Sequence, residues 1–462
     1  MKQVKQPSRD VPMRVGQTII LTIKSLGING EGIGYYKRKI VFVDKALPGE
    51  VVKAEVTEVK EKYATARLVQ VTERSDARLE PPCPHFAECG GCSLQHLDYQ
   101  AQLASKRELV IESLRKYAGM SDPSVQPVIG MENPWGYRNK AQFQVGTRGG
   151  NLIAGLYQSG SHELIDLRDC LVQHQATNEM VEKAKAVMQK LGIPSYDERR
   201  RTGVVRTIVA RVAFATGETQ LTIVTATPEI PRVKELILEL RYQLPQLVSI
   251  AHNINPQKTS LIFGETTKVL WGKESISERL GELSFDLSAR AFFQLNPEQT
   301  GKLYELVKEA AGLTGKELVF DLYCGTGTIA LWLARQAREV RGIEMIPEAV
   351  EDARRNAERN GITNTSFHVG RAEKLLPEWT RRNIRPDVVV VDPPRTGLDQ
   401  ALIDTLLKTL PPKIVYVSCN PSTLAKDINQ LSRKYDLVNV QPVDMFPHTP
   451  HVESVTLLVR KG

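Results

Sequence analysis

Cys419 stands where the apolar run KIVYVS gives out, with Asn420 placed as an N-cap and Pro421 as the first residue of a following helix. A thiol at a helix N-terminus feels partial positive charge, so its pKa is expected below the ordinary value of roughly 8.5. Such a position suits a nucleophile, and the competing reading is a buried structural cysteine beside a strand. Glu453, between the His- and Pro-containing loop DMFPHTPH and the last apolar run, is a candidate general base whose pKa desolvation would raise. His448 and His451 in the same loop compete for that role.

A second constellation is PPCPHFAECGGCSLQHL, in which Cys83, Cys89 and Cys92 are spaced Cx5Cx2C, with Cys170 far downstream in LRDCLVQH. Four thiolates can enclose a tetrahedral metal or a cubane cluster, and zinc is the ordinary cargo of such a set. The sixth cysteine, Cys324, lies inside a Gly turn and reads as a wall residue. The run MKQVKQPSRDVPM has no apolar core of a signal peptide, and no apolar stretch is long enough to span a bilayer. A cytoplasmic protein with reduced or ligand-bound cysteines is therefore expected.

LVFDLYCGTGTIALWLA reads as strand, tight Gly turn and helix, the local form in which backbone approaches a ligand at a sheet's carboxyl edge. The missing third Gly and the absent phosphate-loop Lys argue against pyrophosphate or triphosphate. Glu344 ends VRGIEM about twenty residues on, where an acid suits ribose hydroxyls. Asp392 ends PDVVVVD, and Gln294 precedes a helix capped by Asn296 with Pro297 at its first position. Acid, Gly turn and the DPP step together resemble class I S-adenosylmethionine methyltransferases. Enzymes of that class that methylate amino groups follow DPP with an aromatic residue, whereas Arg395 follows here.

Beside a methyl donor, a thiolate has a specific use. Added to carbon 6 of uracil it makes carbon 5 nucleophilic, and after methylation a base must remove the carbon 5 proton so that the thiolate leaves. SCNPSTLAKD and HVESV, with ARAFFQLN, DLYCGTGT and DPPRTGLD, closely resemble the RNA uracil-5-methyltransferases that make 5-methyluridine. The resemblance implies Cys419 as nucleophile, Glu453 as base, and Gln294, Tyr323, Glu344 and Asp392 as S-adenosylmethionine-binding positions. It also implies a [4Fe-4S] cluster on Cys83, Cys89, Cys92 and Cys170 in place of zinc. Radical S-adenosylmethionine enzymes use a tighter Cx3Cx2C run. Because a barrel and four cysteines accompany ribosomal members of the family, 23S rRNA or its fragments is the implied partner, with transfer RNA as the alternative. A cytosine-5 RNA methyltransferase would show a second catalytic cysteine near the DPP step. A non-catalytic iron-sulfur RNA-binding protein is the reading from another class.

The elements that must position these groups divide the 462 residues into three expected regions of an α/β multidomain chain. Residues 1–74 alternate short apolar strands with Gly turns, as a small barrel does, and GEGIG followed by ALPGE resembles the OB-like TRAM module of RNA-modifying enzymes. Residues 75–285 mix strands and helices in an α+β region that holds the four cysteines. Residues 286–462 alternate strand and helix, the pattern of a doubly wound, Rossmann-like sheet. Lys and Arg outnumber Asp and Glu 61 to 53, which favours a polyanion as partner. YRNKAQFQV, with Arg138, Lys140, Tyr137 and Phe143, and DERRRTGVVRTIVAR, with Arg199, Arg200, Arg201, Arg206 and Arg211, are expected to offer phosphate contacts and stacking aromatics. The protein is expected to act as a monomer.

Overall fold

The computed structural model describes residues 13–462; the segment 1–12, read above for a leader, lies outside them. Strands β1 (Thr18–Leu26), β2 (Gly32–Tyr36), β3 (Lys39–Asp44), β4 (Val51–Val59) and β5 (Tyr63–Glu73) close into a barrel in the order β1-β2-β3-β5-β4. Alternation fills it: Ile19, Leu21, Ile23, Val41, Val43, Val52, Ala54 and Val56 all point inward. The GEGIG glycines answer to space, since a Cβ on Gly32 would lie 2.6 Å from the Ala46 carbonyl oxygen and one on Gly34 2.7 Å from Leu21 Cδ1. Glu50 of the ALPGE turn is fully buried; burial opposes its ionisation, yet Arg78 at 2.5 Å and the Leu47 N–H at 2.8 Å hold its pKa below the usual value. The barrel forms one compact unit with Ser93–Ser105 and His448–Pro450.

Helix α1 (Tyr99–Ala118) leads to the central region. There β6 (Lys140–Arg148), β7 (Asn151–Tyr157), β8 (Leu164–Asp166), α2 (Gln175–Lys190), β9 (Val205–Val212), β10 (Thr219–Thr225), α3 (Val233–Gln243), β11 (Leu247–Ile254) and β12 (Thr266–Gly272) follow in turn. Their strands form one sheet, β12-β11-β10-β9-β6-β7-β8. Ala141, Phe143, Val145, Ile208, Ala210, Leu221 and Ile223 bury one face against α2 and α3. The period of two then turns Lys140, Gln142, Gln144, Thr207, Arg211 and Gln220 to the other face.

This arrangement corrects part of the expected RNA surface. Tyr137 and Phe143 are buried and cannot stack bases. Arg211 is buried on the carbonyls of Ala291 (2.6 Å) and Ser288 (3.3 Å), and Arg206 is bonded to the carbonyls of Asn255 and Gln257 and to Glu198. Arg199, Arg200 and Arg201 remain exposed in a turn held by Asp197.

The hairpin β13 (Ser275–Leu280) and β14 (Leu283–Ser288) precedes the last layer, which runs α4 (Pro297–Ala311), β15 (Leu318–Leu322), α5 (Thr328–Ala334), β16 (Glu339–Glu344), α6 (Pro347–Arg359), β17 (Thr365–Val369), α7 (Ala372–Arg381), β18 (Val388–Val391), α8 (Gln400–Thr409), β19 (Lys413–Ser418), α9 (Pro421–Leu431), β20 (Tyr435–Val443) and β21 (Glu453–Arg460). The sheet order is β17-β16-β15-β18-β19-β21-β20. Five strands are parallel and covered on both faces, which is why they read as continuous apolar runs. β21 departs from the parallel pattern: it runs antiparallel between β19 and β20. Both the central sheet and this one belong to the second compact unit, with the cysteine loop Cys83–Cys92. Among the described residues no helix is long and apolar enough to cross a membrane.

Candidate active site

Strand register brings the separated sequence motifs together. Leu322 pairs with Ile343 on one side and Val391 on the other, so the next residues, Tyr323, Glu344 and Asp392, end three neighbouring strands on one rung. Ser418 pairs with Ser454, so Cys419 and Glu453 come next in register where β19 and β21 meet. Parallel strands alone would not put a carboxylate there; the reversed β21 does.

The Gly turn is built on strain and close approach. Tyr323 takes a left-handed φ of +65°, which swings the chain off β15, and the Gly325 N–H donates to Glu344 Oε2 at 3.2 Å. Glu344 Oε1 accepts from the Met345 and Ile346 N–H groups, leaving those two apolar side chains exposed beside the turn. Cys324 is buried and packs into the core, close enough that a Cβ on Gly342 would lie 2.8 Å from its sulfur. Burial, then Asp399 and Glu373, push the Tyr323 phenol up to about 12. Gln294 is half-buried; its carbonyl accepts from Asn139 Nδ2 at 3.0 Å, and its side-chain amide makes no hydrogen bond among the described residues.

Spacing did not single out Asp321. It is fully buried beneath the turn, and among the described residues neither carboxyl oxygen meets a partner at hydrogen-bond geometry. Burial first, then the neighbouring Asp392 and Glu344, hold its pKa well above the carboxylate range. An orphaned acid below a Gly turn fits a cationic ligand, and the ammonium and sulfonium of S-adenosylmethionine are such groups.

Around Cys419 the helix start is as expected: Asn420 caps α9 by accepting from the Ser422 N–H, and Pro421 follows. The thiol's acidity is the opposite of the expectation. Burial, then Glu453 and Asp392, push it up to about 11, and Arg395 only partly offsets them. The helix-end effect is confined to one turn, whereas two carboxylates reach the thiol from other strands. Burial and Asp392 raise Glu453 to about 8, and burial raises Asp392 to about 7. Three acidic groups thus share one pocket with a single nearby guanidinium. That guanidinium is placed by α9, because Asn420 Nδ2 and Thr423 Oγ1 donate to the Arg395 carbonyl at 3.0 and 3.3 Å.

The rival bases are accounted for. His451 lies 3.3 Å from Arg395 Nη2, and burial with Arg395, Lys106 and Arg138 lowers its pKa to about 4, so it is neutral at pH 7. His448 shares hydrogen bonds with Gln102. The loop leading to Glu453 is tied down at several points. Lys106 Nζ meets Asp444 Oδ1 at 2.5 Å with both side chains buried, and Asn296 Nδ2 donates to Met445 O. Gln299 Nε2 donates to Asp444 O, and Tyr137 donates to Pro447 O. Gln299 therefore ties helix α4 to this loop.

Cys83, Cys89, Cys92 and Cys170 are all half-buried free thiols. Burial, with Cys83 among the lesser causes, raises Cys89; burial and then Cys92 push Cys170 up to about 12. Arg138 acts on Cys89 and Cys170 and is itself affected by Cys92 and Cys170, while Cys83 acts on Cys89. Among the described residues, no group of three or more His, Cys, Asp or Glu side chains that could hold a metal ion is present. The expected metal set is therefore seen only as the pairs Cys83 with Cys89 and Cys92 with Cys170, and not as a closed cage.

A family model described as tRNA (Uracil-5-)-methyltransferase matches residues 259–461, and a TRAM domain model matches residues 12–69. A Bacillus cereus protein described as an uncharacterized RNA methyltransferase is 53% identical over 457 residues, 99% of this chain and 100% of its own. One of the same description from Halalkalibacterium halodurans is 55% identical over 453 residues, 97% of this chain and 98% of its own. The crystal structure of Pyrococcus abyssi tRNA (uracil-54, C5)-methyltransferase with S-adenosyl-L-homocysteine superposes with a TM-score of 0.77 at 29% identity, covering 96% of this chain and 100% of that one.

Proposed function

Because the chain belongs to the RNA uracil-5-methyltransferase family and is an S-adenosylmethionine-dependent RNA methyltransferase, we propose that it methylates carbon 5 of a uridine through a Cys419 adduct resolved by Glu453. The observation that carries this reading is the β19–β21 register, which sets thiol and carboxyl side by side at the end of the cofactor sheet. S-adenosylmethionine supplies an electrophilic methyl group, with Gln294, Tyr323, Glu344 and Asp392 as the residues to hold it and Asp321 beneath. Arg395 partly offsets the burial and carboxylates that disfavour the thiolate. Once the thiol has given its proton to solvent, the sulfur bonds to carbon 6 of the ring, and the electron pair of the carbon 5–carbon 6 double bond becomes available at carbon 5 for the methyl group. Once carbon 5 carries the methyl, Glu453 takes its proton, and the electron pair of that C–H bond expels the sulfur. A carboxyl held up to about 8 retains that proton well at neutral pH.

Incubation with 5-fluorouracil-containing RNA and labelled methyl donor tests this. Wild type should form a denaturant-stable protein–RNA adduct that Cys419→Ala abolishes. Undiminished methylation by Cys419→Ala would end the assignment.

We further propose a [4Fe-4S] cluster on Cys83, Cys89, Cys92 and Cys170. This rests on the family resemblance of the Cx5Cx2C run and Cys170, since four thiolates can hold a cubane at its corners as well as a single zinc. With four protein ligands its role is structural or RNA-positioning. Protein purified without oxygen should be brown and contain iron and sulfide; colourless, zinc-loaded protein is the contrary result. For the target, the resemblance of the barrel and four cysteines to ribosomal members of the family supports 23S rRNA, and the Pyrococcus abyssi structure supports transfer RNA. Loss of 5-methyluridine from one RNA or the other in cells lacking the protein decides between them.

A further inference from the structure

Lys140 opens β6 directly opposite Arg211 of β9, so two cations face each other on the same side of the central sheet. Like charges in that relation are destabilising. Arg211 is satisfied by the carbonyls of Ser288 and Ala291. Lys140 is half-buried, and its ammonium makes no hydrogen bond or ion pair among the described residues. The neighbours on that face are Gln142 two residues along and Gln220 beyond Arg211, neither of them a carboxylate. Burial and Arg211 accordingly lower its pKa to about 7. A lysine placed where both solvent loss and a neighbouring cation disfavour it gains most from an arriving anion.

The surroundings say which anion. Asn139, the preceding residue, holds the Gln294 and Leu295 carbonyls, and Arg211 holds the start of the same segment, which exposes Phe292 between them. Arg138, one residue earlier, acts on His451, the partner of Arg395, which in turn faces Cys419. Lys140 thus lies on the sheet face that Arg211 and Asn139 tie to the segment carrying Gln294, two residues along the chain from Arg138. We propose that Lys140, backed by Arg211, seats a backbone phosphate of the RNA flanking the uridine that is methylated. This rests on the reading of function given above. It makes Lys140 a positioning residue that fixes strand register while taking no part in bond making.

The test uses the full-length protein and a fluorescent RNA hairpin with a uridine loop. Lys140→Met should weaken binding by on the order of tenfold at moderate salt and lower the slope of log affinity against log salt by about 0.7–0.9, one phosphate's share. Lys140→Arg should restore both. Affinity for S-adenosylmethionine should be unchanged in either variant, which separates an RNA phosphate from the cofactor's carboxylate. Because an unpartnered cation is being removed, Lys140→Met should also melt no lower than wild type. Wild-type RNA affinity and salt slope in Lys140→Met, weakened cofactor binding, or a lowered melting point would each overturn the proposal. Wild-type protein that binds the hairpin in this Lys140-dependent way yet never methylates RNA would instead defeat the functional reading alone.

Discussion

Replacing Glu453 with Gln should change how stability depends on pH, and the size follows from where the carboxyl sits. Burial and Asp392 lift its pKa from 4.5 to about 8. The folded chain therefore keeps a proton that the unfolded chain releases, so stability falls as pH rises from 4.5 to about 8 and is flat beyond. At about 1.4 kcal/mol for each factor of ten in proton affinity, the full loss is about 5 kcal/mol, of which about 2 has gone by pH 6 and about 3 remains. Glu453→Gln removes the titrating group and keeps the shape. Urea denaturation of both proteins at pH 6 and pH 9 should show the variant gaining about 3 kcal/mol relative to wild type between the two. Taking the difference cancels, to first order, the titrating groups that do not interact with Glu453. Parallel behaviour of the two proteins would mean that Glu453 is already ionised in the folded state at pH 6, and the raised proton affinity derived from its burial would be refuted.

Two further outcomes follow. Lys106→Met strips the cation from a fully buried pair with Asp444, so it should cost about 3–5 kcal/mol; an unchanged urea midpoint would show the pair to be dispensable. Asp321→Asn keeps the packing and removes the orphaned acid, so it should weaken S-adenosylmethionine binding about tenfold or more by calorimetry without lowering the melting point; wild-type affinity would free Asp321 of any ligand role.

What could be read in the sequence was local. Asn420-Pro421 and Asn296-Pro297 carry their cap geometry in adjacent residues, and both helices begin where expected. The apolar runs announced buried parallel strands, and the GEGIG and ALPGE turns a barrel. What failed depended on partners far along the chain. The thiol's acidity is governed by burial and then by Glu453 and Asp392 rather than by its own helix. Arg211 and Tyr137 resembled RNA contacts until pairing and packing gave each an inward face. Lys106 and Asp444, 338 residues apart, offer no spacing that would connect them. Glu453 was placed beside Cys419 only by family resemblance, since nothing in the residues announces that β21 runs backwards.

That reversed strand also governs where the gene can change length. Residues 444–452 form a tethered connection outside the sheet, and a residue added to its untethered part would alter only a loop. One added or deleted within β19 or β21 would shift every later side chain to the opposite face and replace the carboxyl opposite the thiol with the neighbouring Val452 or Ser454. Natural insertions and deletions should therefore fall in the connections and spare these two strands.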